Sequence, residues 1–357
     1  MVKAPSKSEL FDVTGPIHLN NVNWSEPNHR RSITASLIQG VYVLEHDRQR
    51  KRIDHNALAP IWWQFFDFRL IQMLEDHVDS SVVGAVFEYQ SPNTNQHDHI
   101  PPESWPPKYV IAFRGSVFKP DTQLRDGQLG AKLSLNRLTH DTRYQTSLKA
   151  VQKVISQAGA QNVWLAGHSL GAAIALQIGK SEAREGFLVD TYLFNPPYPS
   201  VPIEMLNNPK HKARFHLAST LLIAGLSVAL KGTNTHKNSS TTTTEHYDPF
   251  TTLCTWIPNL FVNPYDPICC GYTGYFEHRE KMKSWGVGGI ERIAAKDTLV
   301  SLVSGAFGKD DEALHLIPSA VLVKNLHPNK TEFKIAHGIH QWWAPDLNLQ
   351  SQTYNFS

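Results

Sequence analysis

Apolar and polar positions along this 357-residue chain fall into short strand-like runs separated by longer helical ones. Val82 to Tyr89 alternates with a period of two, and Tyr109-Val110-Ile111-Ala112-Phe113 is a continuous apolar run, the pattern of a strand buried on both faces. Asn162-Val163-Trp164-Leu165-Ala166 and Thr191-Tyr192-Leu193-Phe194 repeat that pattern, and shorter runs follow at Leu260-Phe261-Val262 and Ala320-Val321-Leu322-Val323. Between them the spacing is helical. Ser32 is predicted to cap a helix carrying Ile33, Leu37, Val41 and Leu44 on one face, Asp141 to Ile155 forms a second, and Ala172-Ala173-Ile174-Ala175-Leu176-Gln177 a third. Strands alternating with helices predict a mostly parallel central sheet flanked by helices, an α/β architecture.

The rest of the chain fits around that frame. Residues 1–30, rich in Pro, Asn and charge, are expected to wrap the surface, leaving one α/β domain over 31–357. Trp62-Trp63-Gln64-Phe65-Phe66 with Leu70 reads as core packing, and the Pro-rich 101–107 as a loop. Leu217 to Leu230 is uncharged and apolar, but its 14 residues are too few to span a bilayer, so it is expected to be a buried helix or a lid-like insertion. The polar run from Gly232 to Glu245 has nothing to bury and is expected to be a mobile insertion.

Charge and cysteine content remove several function classes. Lys and Arg number 34 against 32 Asp and Glu, with signs interspersed, so no nucleic-acid partner is implied. Met1 to Ser8 leads into Glu9 and Asp12 without an apolar h-region, so a cytoplasmic location is expected, and no transmembrane segment. Cys254, Cys269 and Cys270 are an odd set with two adjacent, which makes neither a disulfide framework nor a spaced metal site. No metal or cofactor is implied.

Chemistry concentrates at Gly167-His168-Ser169-Leu170-Gly171, which lies between a predicted strand and a predicted helix. A strand turning sharply into a helix holds the middle serine in a strained, exposed conformation, the nucleophile elbow of the α/β-hydrolase fold. Serine becomes nucleophilic when a histidine takes its proton and a carboxylate orients that histidine, here in the chain order Ser, acid, His. Asp266, in Asn263-Pro264-Tyr265-Asp266-Pro267 after a short strand, is the favoured acid over Asp248, Asp297 and Asp310. For the base, position favours the late cluster Ala336-His337-Gly338-Ile339-His340-Gln341-Trp342-Trp343 and leaves His337 and His340 both open. Oxyanion donors are expected from Leu170, after the nucleophile, and from Ser116 in Phe113-Arg114-Gly115-Ser116 at a strand end.

These blocks resemble the class 3 lipases. More closely, the chain is similar to a plant group of class 3 lipase-like α/β-hydrolases over about Ser32 to Trp343, through the elbow segment, Phe194-Asn195-Pro196-Pro197, Gly274-Tyr275-Phe276-Glu277-His278-Arg279, Leu314-His315-Leu316-Ile317-Pro318-Ser319-Ala320 and the late His cluster. Members of that group are sometimes labelled GDSL esterases, yet the chain has no Gly-Asp-Ser-Leu block. The resemblance implies Ser169 as nucleophile, Asp266 as acid, and Ser116 with Leu170 as oxyanion donors. It also implies His340 as base, because the family histidine is followed two and three positions on by an aromatic pair, here Trp342 and Trp343. One departure is the polar stretch Lys119 to Asp126, where fungal relatives carry an amphipathic lid.

The expected activity is therefore cleavage of a lipid or small-molecule carboxylic ester through an acyl-enzyme on Ser169. An acyltransferase would pass the same acyl group to an alcohol, and a non-catalytic binding protein would keep the scaffold without the chemistry.

Overall fold

Among the described residues, eight strands hydrogen-bond in the order in which they occur along the chain, β1 (Phe68–Glu75), β2 (Val82–Tyr89), β3 (Tyr109–Phe113), β4 (Val163–His168), β5 (Asp190–Phe194), β6 (Asn259–Val262), β7 (Ala320–Asn325) and β8 (Leu349–Tyr354). The computed structural model describes residues 15–90, 105–116, 138–198, 253–284, 317–327 and 332–356. Strands β3 to β7 run parallel, while β1, β2 and β8 pair antiparallel at the two edges. Six helices are described: α1 (Pro27–Gln49), α2 (Ile61–Gln64), α3 (Thr142–Ala158), α4 (Leu170–Arg184), α5 (Gly271–Ser284) and α6 (Phe333–His337). The result is the mixed, helix-flanked sheet of an α/β protein.

Alternation along each central strand feeds two separate cores. In β4, Val163 and Leu165 join the cluster holding α3 and α4, whereas Trp164 and Ala166 join the one holding α1. In β3, Ile111 and Phe113 likewise oppose Val110 and Ala112. All six residues of β4 are buried, which is why the strand reads as an unbroken apolar run. Trp62, Trp63 and Phe66 are buried in the α1-side core, as expected.

Two differences from the sequence reading concern ends and edges. Helix α1 starts at Pro27, five residues before Ser32, because proline has its φ preset for the first helical turn and no N–H to lose there. Ser32 lies buried inside the helix, and Leu19 and Trp24, within the stretch expected to wrap the surface, belong to the core. Edge strands β1 and β8 have no counterpart in the sequence reading. Four consecutive residues of β8 are exposed, and Ile71 and Met73 of β1 are exposed apolar side chains, so neither strand carries the alternation that burial imposes. The segments 217–230, 232–245 and 119–126 lie outside the described residues.

Candidate active site

Ser169 joins β4 to α4 with φ 54° and ψ −123°, a left-handed conformation that costs a non-glycine residue about 1–3 kcal/mol. The surroundings over-determine it. Ser169 N donates to the Phe194 carbonyl at 2.9 Å, and its own carbonyl accepts from Ala172 N at 2.9 Å and Ala173 N at 3.2 Å. Glycines two residues before and after let backbones cross: a Cβ on Gly167 would lie 2.7 Å from Ala172 Cα, and one on Gly171 would lie 2.6 Å from the Arg114 carbonyl. Ser169 thus sits at a sharp strand-to-helix turn between β4 and α4.

His337, not the expected His340, meets the serine. Its Nε2 is 3.0 Å from Ser169 Oγ and its Nδ1 is 2.8 Å from Asp266 Oδ2. Ser169, His337 and Asp266 are all buried. Phe333, one helical turn before His337 in α6, stacks on the imidazole with centroids 5.3 Å apart and planes 9° apart. His340 lies on the outer side of the 3₁₀ turn Ile339–Trp343, exposed, while the four other residues of that turn are buried. The aromatic pair does anchor this loop, with Trp342 fully buried, but what it anchors is a turn that presents His337 inward.

Asp266 is wholly buried and accepts four hydrogen bonds. Oδ2 accepts from His337 Nδ1, from Asn195 Nδ2 at 2.7 Å and from Cys269 Sγ at 3.1 Å, and Oδ1 accepts from Ile268 N at 3.0 Å. Burial alone would raise its pKa, but the His337 charge and these hydrogen bonds outweigh it and hold the carboxyl below its ordinary value. Asp266 is therefore ionised, and a carboxylate can only accept, so His337 Nδ1 carries a proton in either state of the ring, and in the neutral imidazole Nε2 is the acceptor facing Ser169.

Residues not assigned a role from the sequence fix the base loop. Asn195, Asn263 and Asn325 stand at the carboxyl ends of β5, β6 and β7, all fully buried. Asn195 donates to the Ala336 carbonyl at 3.0 Å and accepts from Trp342 Nε1 at 2.6 Å. Gln341 Oε1 accepts from Asn263 Nδ2 at 2.8 Å and Asn325 Nδ2 at 3.0 Å, and its Nε2 donates to Ala336 O at 2.6 Å and Gly338 O at 3.1 Å. The carbonyls on both sides of His337 are thus tied to strand ends. An asparagine closing three neighbouring parallel strands was the available signal, which turn propensity alone does not distinguish from an ordinary loop start.

Leu170 is the first residue of α4, where helix N–H groups have no acceptor within the helix. Gly115 packs against Ser169 so closely that a Cβ there would be 2.7 Å from Ser169 Cβ, and Ser116 follows it in the chain. Asp248, Asp297 and Asp310, the alternative acids, lie outside the described residues. Among the described residues, no three His, Cys, Asp or Glu side chains come together in a way that could hold a metal ion, and no helix is long and apolar enough to cross a membrane.

No family model matches the chain. A GDSL esterase/lipase of Arabidopsis thaliana is 41% identical over 352 residues, covering 98% of this chain and 99% of that relative. Similarity of that extent over nearly the whole length of both proteins means that the chain belongs to the family of this GDSL esterase/lipase.

Proposed function

We propose that this protein is a serine hydrolase that cleaves carboxylic esters through an acyl-enzyme on Ser169. The observation that carries the reading is the continuous hydrogen-bonded line from Ser169 Oγ through His337 to the ionised Asp266. In the first half-reaction Ser169 Oγ attacks the ester carbonyl carbon as its proton passes to His337 Nε2. The tetrahedral oxyanion is received by the Leu170 N–H and the Ser116 turn, and collapse expels the alcohol, which takes the proton back from His337. Water then repeats the sequence on the acyl-enzyme, releasing the carboxylic acid and restoring Ser169. Asp266 stays ionised throughout, fixing the imidazole tautomer and stabilising the imidazolium.

Within that reading the scaffold is an α/β-hydrolase of class 3 lipase-like type. Its support is the strained Ser169 between β4 and α4 and the Gly167-His168-Ser169-Leu170-Gly171 sequence, in a chain that has no Gly-Asp-Ser-Leu block despite the label of its relative. A cytoplasmic setting fits the odd set Cys254, Cys269 and Cys270, which makes no disulfide framework. The test is labelling by a fluorophosphonate probe alongside hydrolysis of a nitrophenyl ester. Wild-type protein should label and turn over, and Ser169→Ala should do neither while remaining folded. Folded wild-type protein that never labels would overturn the assignment in favour of a binding role.

A further inference from the structure

His168 precedes the nucleophile but engages other partners. Its Nε2 lies 2.7 Å from the His337 carbonyl oxygen, and its Nδ1 lies 2.8 Å from the Tyr42 hydroxyl. A carbonyl oxygen only accepts, so Nε2 carries the proton. A neutral imidazole has one proton to give; Nδ1 is therefore bare, and Tyr42 must be its donor. The Tyr42 oxygen in turn accepts the Gly115 N–H at 2.7 Å. All three bonds run one way, from Gly115 N–H to Tyr42, from Tyr42 O–H to His168, and from His168 Nε2–H to the His337 carbonyl.

The surroundings keep both groups in these protonation states. Burial, reinforced by the His337 charge, lowers the His168 pKa to about 3, against the opposing pull of its bond to the His337 carbonyl and of the Asp266 charge. Burial also raises the Tyr42 pKa, outweighing the Gly115 N–H and the Arg114 charge, so the phenol keeps its proton. The His168 and His337 rings stand 5.0 Å apart, centroid to centroid.

The two ends of this chain of bonds are the two sides of the site. Gly115 belongs to the turn pressed against Ser169, and His337 supplies Nε2 to the same serine. We propose that Tyr42 and His168 act as one positioning unit, which holds the oxyanion turn and the backbone of His337 in a common register about Ser169. The proposal rests on the hydrolase reading above. Neither residue touches the reacting atoms; each acts through what it holds. Asn195 at a strand end and Gln341 within the loop grip the carbonyls of Ala336 and Gly338, and His168 grips the one between.

Tyr42→Phe removes a single oxygen and both of its hydrogen bonds. It should lower kcat about ten- to a hundredfold, the scale of a misplacement near 1 Å, with KM for a nitrophenyl ester within about twofold. His168→Leu should cost about as much. His168→Gln should restore most of the rate, since its amide nitrogen can donate to the His337 carbonyl while its oxygen accepts from Tyr42. Introducing Tyr42→Phe into His168→Leu should then cost several-fold less than it does in wild type, because only the Gly115 contact is left to lose. Rates are taken per folded, titratable site, so a loss of stability alone does not enter. Wild-type kcat in Tyr42→Phe, or an undiminished Tyr42→Phe effect in the His168→Leu background, would overturn the proposal. Failure of wild-type protein to label with fluorophosphonate would instead overturn the hydrolase reading beneath it.

Discussion

The elbow and the base loop meet across 3.0 Å between Ser169 and His337, yet they are built in opposite ways. At the elbow, a contiguous five-residue stretch sets the geometry through two glycines, a strained serine and the helix that follows. In the base loop, the same precision comes from side chains far away in sequence: Asn263 and Gln341 are 78 residues apart, Asn195 and Ala336 are 141, and His168 and His337 are 169. The elbow spends backbone strain where the base loop uses buried amide hydrogen bonds. A local motif therefore marks Ser169 at sight, whereas which of two nearby histidines faces it is decided by distant partners.

The largest expected effect exposes that dependence. His337→Ala should lower kcat/KM by about 10⁶-fold, matching Ser169→Ala, because nucleophile and base act as a unit and losing either disables both. The check is a comparison of pre-steady-state acylation by a nitrophenyl ester in the two variants. Substantial acylation by His337→Ala would mean that the base is supplied from elsewhere.

Asp266→Asn follows, at about 10⁴-fold. Three donors face Oδ2 and one faces Oδ1, so the new amide sets its NH2 either against the Ile268 N–H or against His337 Nδ1. The first orientation removes the charge that stabilises the imidazolium, and the second also imposes the wrong tautomer. A further loss of about 1–3 kcal/mol in unfolding free energy is expected from the opposed donors, measured by chemical denaturation. An Asp266→Asn variant with unchanged kcat would remove Asp266 from the chemistry.

Gln341→Ala probes the base loop without touching a reacting group. It strands the buried Asn263 and Asn325 amides, at about 1–3 kcal/mol each, and leaves the Ala336 carbonyl to Asn195 and the Gly338 carbonyl to the backbone N–H of residue 341. Stability should fall by that amount, and kcat by up to about a hundredfold as His337 loses its fixed position. A variant that loses stability but keeps full kcat would show that the remaining contacts suffice to seat the base.

Legibility followed burial. The inner strands could be read because side chains on both of their faces enter cores, as the alternation of Val163, Trp164, Leu165 and Ala166 between the two clusters illustrates. Strand β8, with Gln350, Ser351, Gln352 and Thr353 exposed, met no such requirement and left no pattern. That Ser169 and Asp266 meet at one site was readable from strand ends and chain order. Asn195 and Gln341 were not, since their role exists only once strands β5 to β7 stand side by side.

The smallest expected effect bears most directly on how the base was chosen. His340 is exposed, and its ring lies close over Gly338, with Nδ1 2.5 Å from where a Cβ on that glycine would be. The aromatic pair after it made it the expected base, but Trp342 serves the loop through its Nε1–H bond to Asn195, its burial, and a carbonyl that accepts from Arg31 Nε at 2.7 Å. None of these contacts runs through the His340 imidazole. His340→Ala should therefore change unfolding free energy by no more than about 0.5 kcal/mol, as expected for an exposed position, and leave kcat/KM within about threefold of wild type. Side-by-side acylation rates of His340→Ala and His337→Ala decide it. Loss of acylation in His340→Ala with activity retained in His337→Ala would reverse the assignment, and with it the conclusion that distant partners rather than neighbouring aromatics select the base.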